Sequence, residues 1–186
     1  LARWRRSDGE LLMPSLFLEA AERAELLGEL DLQMIRQAIA ASHVMARVQP
    51  QRPMLLSLNL SGALLESPAL LQNLFALIDA EPLPQNWQLQ LEMLEVNLQQ
   101  PEAEIARTLQ QLHQRGVLLA IDDFGTGYSS LSHLSTLPID SLKIDRSFVS
   151  RLEAGSNEAA VVRSIVLLGS SLGKDVVAEG IETGHQ

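Results

Sequence analysis

Cysteine is absent from this 186-residue chain, which excludes disulfides, thiolate zinc sites and a cysteine nucleophile. That absence is compatible with a reducing cytoplasm, the location we expect, with or without membrane tethering through a segment outside the chain. Basic residues are few: 14 Lys plus Arg stand against 23 Asp plus Glu, a net charge of −9. The balance argues against binding a DNA or RNA polymer through its backbone, which requires a basic face. An acidic protein that takes a phosphate ester must hold it with metal ions or well-placed Arg and Lys. No apolar run reaches the length of a membrane span, and Leu1-Ala2-Arg3-Trp4 is not a signal peptide. Low-complexity segments are also missing. The 4 histidines, His43, His113, His133 and His185, have no ligand spacing, and none ends a strand.

What is present is a chain with 46% apolar residues, enough for one domain with a sizeable core. We read residues 1–186 as a single domain that begins and ends abruptly, as part of a longer protein. Apolar runs predict strands over Met54 to Leu60, Gln88 to Met93, Val117 to Asp122, Ser141 to Ile144 and Asp175 to Ala178. Helical patterns fill the gaps. Ser15 to Arg47 holds two helices meeting near Gly28, and Pro68 to Ala80 presents Leu70, Leu71, Leu74 and Leu77 on one face. Pro101 to Arg115 ends at Gly116, and Asn157 to Leu172 at Gly173. Strands joined by helix-length connections imply a parallel sheet, apolar on both faces, with right-handed crossovers.

Polar residues fall at the strand ends: Asn59, Glu92, Asp122 with Asp123, Lys143 and Glu179. In a (β/α)8 barrel all strand C-termini converge on one rim, which carries the active site, whereas an open sheet would spread them along a line. The pattern favours an α/β barrel. A full barrel needs roughly 250 residues, so the first and last strands are expected to be missing from this chain.

Asp122-Asp123-Phe124-Gly125-Thr126-Gly127 closes an apolar run with two adjacent carboxylates, costly to desolvate unless a cation or donor compensates them. Both can reach one site only if the pleat breaks, and Gly125 and Gly127 are the residues expected to permit that. Glu92, Asp122, Asp123, Glu179 and the Asn59 amide form an all-oxygen set of the kind that Mg²⁺ or Mn²⁺ prefers. Several carboxylates in one site suggest two metals bridged by one Asp, a device for phosphodiester cleavage. The plainer alternative is a rim of salt bridges and helix caps. Lys143 lies inside an apolar strand, where it can orient a water or form a structural ion pair with Asp140 or Asp145. Glu95, beyond the strand end, can accept backbone hydrogen bonds from a neighbouring loop or stand in solvent. Ser129 and His133 read as a helix start, with no nucleophile elbow around them. Gly173-Lys174-Asp175 lacks the spacing of a phosphate-binding loop.

Along nearly the whole length, these residues resemble the EAL family of cyclic di-GMP phosphodiesterases. Leu1-Ala2-Arg3-Trp4 resembles the tail of its Glu-Ala-Leu-x-Arg-Trp segment, and Ser57 to Ser61 its Asn-Leu-Ser motif. Leu91 to Glu95 resembles Glu-x-Thr-Glu, and Asp122 to Leu131 matches Asp-Asp-Phe-Gly-Thr-Gly-Tyr-Ser-Ser-Leu unchanged. Leu137 to Asp145 and Val177 to Thr183 match as well. The resemblance implies a modified (β/α)8 barrel that linearises cyclic di-GMP to pGpG with two Mg²⁺ or Mn²⁺ ions. It implies that Asn59, Glu92 and Asp122 hold one metal, and Asp122, Asp123 and Glu179 the other. Lys143 would help activate the water, Arg3 would contact a ligand phosphate, Glu95 would anchor the loop from Phe124, and Glu182 would stand behind the ligands. A homodimer, fused to sensor or GGDEF-type domains, is implied too. The family's first glutamate would precede Leu1, and its hydroxyl residues flanking Glu95 are here Leu94 and Val96. An EAL domain that binds cyclic di-GMP as a receptor without cleaving it stays open as the alternative.

Overall fold

The computed structural model describes all residues except Leu1, Pro50, Gln100, Pro101, 127–130, Ala154, Gly155 and His185. The chain divides into two compact units, Leu1–Trp87 and Gln88–Gln186.

The first unit opens with a hairpin of two short antiparallel strands, β1 (Trp4–Arg5) and β2 (Leu11–Leu12), which sequence patterning missed because each is only two residues long. Gly9, at φ +90°, and the Arg6–Glu10 hydrogen bonds close the turn between them. A 3-10 turn at Pro14–Leu16 leads to helix α1 (Leu18–Arg23) and then α2 (Leu27–Val48). The helices meet at Glu25, which takes a left-handed φ of +57°, three residues before Gly28. Gly28 instead lies in the first turn of α2, where a Cβ would sit 2.5 Å from Leu70 Cδ1 and 3.3 Å from the Leu64 backbone. Its missing side chain serves close packing. Strand β3 (Met54–Asn59) follows, ending one residue earlier than the apolar run suggests. Helices α3 (Gly62–Leu65) and α4 (Pro68–Ala80) begin at Ser61 and Ser67, whose hydroxyls accept backbone N–H groups of Leu64 and Leu70. Ile35, Ile39, Leu64 and Leu74 form the buried centre of this unit.

The second unit is a parallel sheet in the order β4 (Trp87–Leu94), β5 (Leu118–Phe124), β6 (Ser141–Ile144), β7 (Asp175–Ala178). Helix α5 (Glu102–Gln114) connects β4 to β5, and α6 (Leu131–Thr136) connects β5 to β6. Helices α7 (Arg146–Val149) and α8 (Asn157–Ser171) connect β6 to β7. The expected helix start at Ser129 falls outside the described residues, as do Gly127 and Tyr128; α6 begins just after them. β4, β5 and β6 are buried on both faces, as parallel strands under helices should be. β7 departs from that expectation, with Val177 47% exposed.

Leu109 and Leu112 on α5 are fully buried, as are Leu91, Leu119 and Ile121 on the strands. Leu112→Ala should therefore cost about 2–5 kcal/mol in urea unfolding, the range for truncating a packed leucine. A loss below about 1 kcal/mol would contradict the packing described.

Candidate functional site

In the second unit the strand C-termini bring three carboxylates around one ammonium. Lys143 Nζ, on β6, donates to Glu92 Oε2 on β4 at 2.6 Å and to Asp122 Oδ1 on β5 at 3.0 Å. It also lies 2.5 Å from Glu179 Oε1, just beyond β7. These side chains are 13%, 11%, 18% and 34% exposed, in the order Lys143, Glu92, Asp122, Glu179. Asp140 and Asp145, the partners sequence reasoning suggested for Lys143, are engaged elsewhere. Asp140 Oδ2 accepts the Leu119 N–H at 2.8 Å and its Oδ1 lies 3.5 Å from His113 Nε2, while Asp145 caps α7.

The adjacent pair Asp122-Asp123 reaches one site because β5 bulges. Ile121 stands opposite Leu142 and Phe124 opposite Ile144, so two residues of β5 face the single Lys143. The pleat does break, but the residue that breaks it is Asp123 itself, at φ +52°, a conformation that Asp tolerates better than most residues. Gly125, at φ +97°, follows as a second left-handed position. The Asp123 N–H donates to Asp122 Oδ1 at 3.1 Å, and Thr126 closes the turn by donating its N–H and Oγ1 to the Asp123 carbonyl. As a result, carboxylate oxygens of Asp122, Asp123 and Glu179 all lie within 4.8 Å of one another.

Protonation follows from this crowding. Burial works against the Lys143 charge, but bonds to Glu179, Glu92 and Asp122 outweigh it and push the amine above its ordinary range. It is a permanent cation. Asp123 is shifted up, first by burial and then by the charges of Asp122, Asp145 and Glu179. It also shares a hydrogen bond with Asp145, whose carboxyl is held below its ordinary range chiefly by the Ser147 hydroxyl. Asp145, offered by sequence reasoning only as a partner of Lys143, joins the cluster through Asp123 instead. Its place at the N-terminus of α7, two residues after Lys143, is the signal that could have revealed it.

Glu95 is buried, and its Oε2 accepts the Gly125 N–H at 3.3 Å, a hydrogen bond of the kind its position suggests. Its Oε1 is buried without a hydrogen-bond partner among the described residues. Leu94 and Val96 on either side are 44% and 57% exposed. Glu95→Ala should release the start of the Phe124 loop and lower metal affinity about 10–100-fold, as loss of a residue bonded behind a metal site commonly does. A Mn²⁺ titration by calorimetry checks this, and an unchanged affinity would deny Glu95 any role in shaping the site.

Glu182 lies outside the cluster, paired with Arg146 at 2.8 Å with both side chains exposed. The Arg146 stem covers Gly180, at φ +70°, where a Cβ would meet Arg146 Cγ at 2.5 Å. In the first unit, Asn59 ends β3 with an exposed side chain, and Arg3 is exposed with Nη1 donating to the Ala2 carbonyl at 2.7 Å. No helix among the described residues is long and apolar enough to cross a membrane.

The sequence matches the EAL domain family over residues 1–186. RocR of Pseudomonas aeruginosa, a cyclic di-GMP phosphodiesterase, is 35% identical over 186 residues, covering 100% of this chain and 47% of RocR. An uncharacterized Mycobacterium tuberculosis protein is 37% identical over 183 residues, covering 98% of this chain and 29% of that protein. The chain thus spans less than half the length of these curated relatives. Among solved structures, the PaMucR phosphodiesterase in complex with c-di-GMP superposes with a TM-score of 0.84 at 33% identity, over 98% of this chain and 76% of that one. The EAL domain of Mycobacterium smegmatis DcpA superposes with a TM-score of 0.74 at 37% identity, over 85% of this chain and 70% of that one.

Proposed function

This chain belongs to the EAL domain family, whose members adopt a TIM-like barrel fold, and from that premise we propose that it hydrolyses cyclic di-GMP to linear pGpG with Mg²⁺ or Mn²⁺. The observation that carries the proposal is the excess of negative charge: Glu92, Asp122, Asp123 and Glu179 stand around a single Lys143. Such a cluster repels a phosphodiester unless cations intervene, and its hard oxygen donors suit divalent ions of that type. Asp122, Asp123 and Glu179 would hold one ion, and Glu92 and Asp122, joined by Asn59 as in the family, a second. When bound, the ions would neutralise the phosphodiester and supply a more acidic water.

The chain's own groups do the rest. Lys143, held charged by its carboxylate partners, is a donor whose N–H groups would orient a water or a phosphate oxygen. Asp123, hydrogen-bonded to Asp145, is kept in place beside Asp122 and Glu179 as a ligand of the proposed ion. Glu179 also holds Lys143. Arg3 would receive a phosphate of the ligand, and Glu95 would hold the Phe124 loop. Glu182, tied to Arg146, would steady the turn that carries Glu179. In the cell we propose a cytoplasmic homodimer acting beside sensor or GGDEF-type domains of the same polypeptide.

Turnover in ¹⁸O-labelled water tests the chemistry. Linear pGpG with label on its terminal phosphate is expected. Recovery of intact cyclic di-GMP bound to the protein would instead make the domain a receptor.

A further inference from the structure

Helix α2 turns one face inward, with Gly28, Ile35, Ile39 and Ser42 buried along it. Asp31 lies one turn before Ile35 on that face, where a carboxylate is costly unless its oxygens are bonded. Its Oδ2 accepts the Ser61 N–H at 2.7 Å, and the Ser61 side chain bonds the same carboxylate. The Ser61 oxygen in turn accepts the Leu64 N–H at 3.4 Å, which starts α3. Burial raises the Asp31 carboxyl from its ordinary value, and the Ser61 bonds oppose that rise.

Ser61 follows Asn59 by two residues, and the intervening Leu60 is 2% exposed. The chain that leaves β3 is therefore fixed at Leu60 by burial and at Ser61 by Asp31, and Asn59 is the last strand residue before both. We propose that Asp31 is a positioning residue: by pinning Ser61 it sets the direction of the Asn59 carboxamide and so tunes metal affinity. The metal half of this statement rests on the ligand role given to Asn59 above. Capping of α3 alone would not need a half-buried carboxylate, since the Ser61 hydroxyl already accepts the Leu64 N–H.

The test uses the full chain. The Asn59 side-chain amide signals are identified by their loss in Asn59→Ala and followed by NMR in Asp31→Ala, Asp31→Asn and Asp31→Glu. The signals should move in Asp31→Ala and Asp31→Glu, which remove or displace the acceptor, and stay near the parent position in Asp31→Asn, which keeps one. Mn²⁺ binding by calorimetry should weaken about tenfold in Asp31→Ala, and little in Asp31→Asn. The double variant Asp31→Ala/Asn59→Ala should bind Mn²⁺ as Asn59→Ala does. If Asp31→Ala does not fold, Asp31→Glu carries the same expectations at smaller amplitude. An Asn59 signal unmoved while Tm falls would overturn the proposal and leave Asp31 with a stability role only. An equal Mn²⁺ loss with and without Asn59 would overturn it as well. Should Asn59→Ala bind Mn²⁺ as tightly as the parent, the ligand role of Asn59 fails, and the amide signals still decide whether Asp31 sets its direction.

Discussion

Replacing Asp122 with Asn should abolish cyclic di-GMP hydrolysis, by about 10³-fold or more, with little loss of fold. The magnitude is that of removing a group that holds charge at the reacting centre, about 4 kcal/mol of barrier. Asp122 bonds Lys143 at 3.0 Å, shares the tight acidic group with Asp123 and Glu179, and is the carboxylate proposed for both ions. An amide still fills the space but removes one negative charge from each proposed ion. The fold is spared because Asn relieves repulsion with Asp123 rather than leaving a buried charge alone. Residual activity above a tenth of the parent's would remove Asp122 from the metal site.

Lys143→Met should act in the opposite way, harming the fold as well as the chemistry. The ammonium is the only cation within bonding distance of Glu92, Asp122 and Glu179 among the described residues. Without it three poorly exposed carboxylates repel one another, and breaking a buried ion pair from one side costs about 3–5 kcal/mol. Glu179 is a third exposed and screens its share, so a loss near 3 kcal/mol, about 6–12 °C in Tm, is expected for a chain of this size. The raised Lys143 pKa gives the sign of the pH dependence. Its stabilisation is complete below the ordinary amine value of 10.5 and disappears only as pH climbs through the higher folded value. The deficit of Lys143→Met should therefore be flat across neutral pH. Mn²⁺ should raise the Tm of Lys143→Met more than that of the parent, because the ions supply the missing positive charge. Equal Tm shifts in EDTA and in Mn²⁺ would contradict the account.

Much of this arrangement was legible from residue patterning, and the misses have physical causes. Strands Ser141–Ile144 and Asp175–Ala178 and helix Pro68–Ala80 lie where apolar spacing puts them. The acidic pair after Ile121 announced a break in the pleat, because two neighbouring carboxylates cannot otherwise share a side. That Asp123 would turn left-handed ahead of Gly125 was not legible, since the bulge is set by the register between β5 and β6. Gly28 marked the neighbourhood of the helix junction, but a glycine in a helical pattern signals either a break or a close approach, and only the position of Leu64 and Leu70 decides which. Asp31 stayed hidden for a similar reason: its value depends on Ser61, thirty residues away. Glu95 could be read as a loop anchor from its place past the strand, but its acceptor role needed the position of Gly125.

The account stands on metal-dependent cleavage, and product analysis with cyclic di-GMP tests it most directly. The full chain is incubated with cyclic di-GMP and Mn²⁺, with and without EDTA, and pGpG is followed by chromatography. The account predicts pGpG that forms with Mn²⁺, stops on adding EDTA and resumes when Mn²⁺ is restored in excess. Tight binding of cyclic di-GMP with no pGpG under any of these conditions would contradict it.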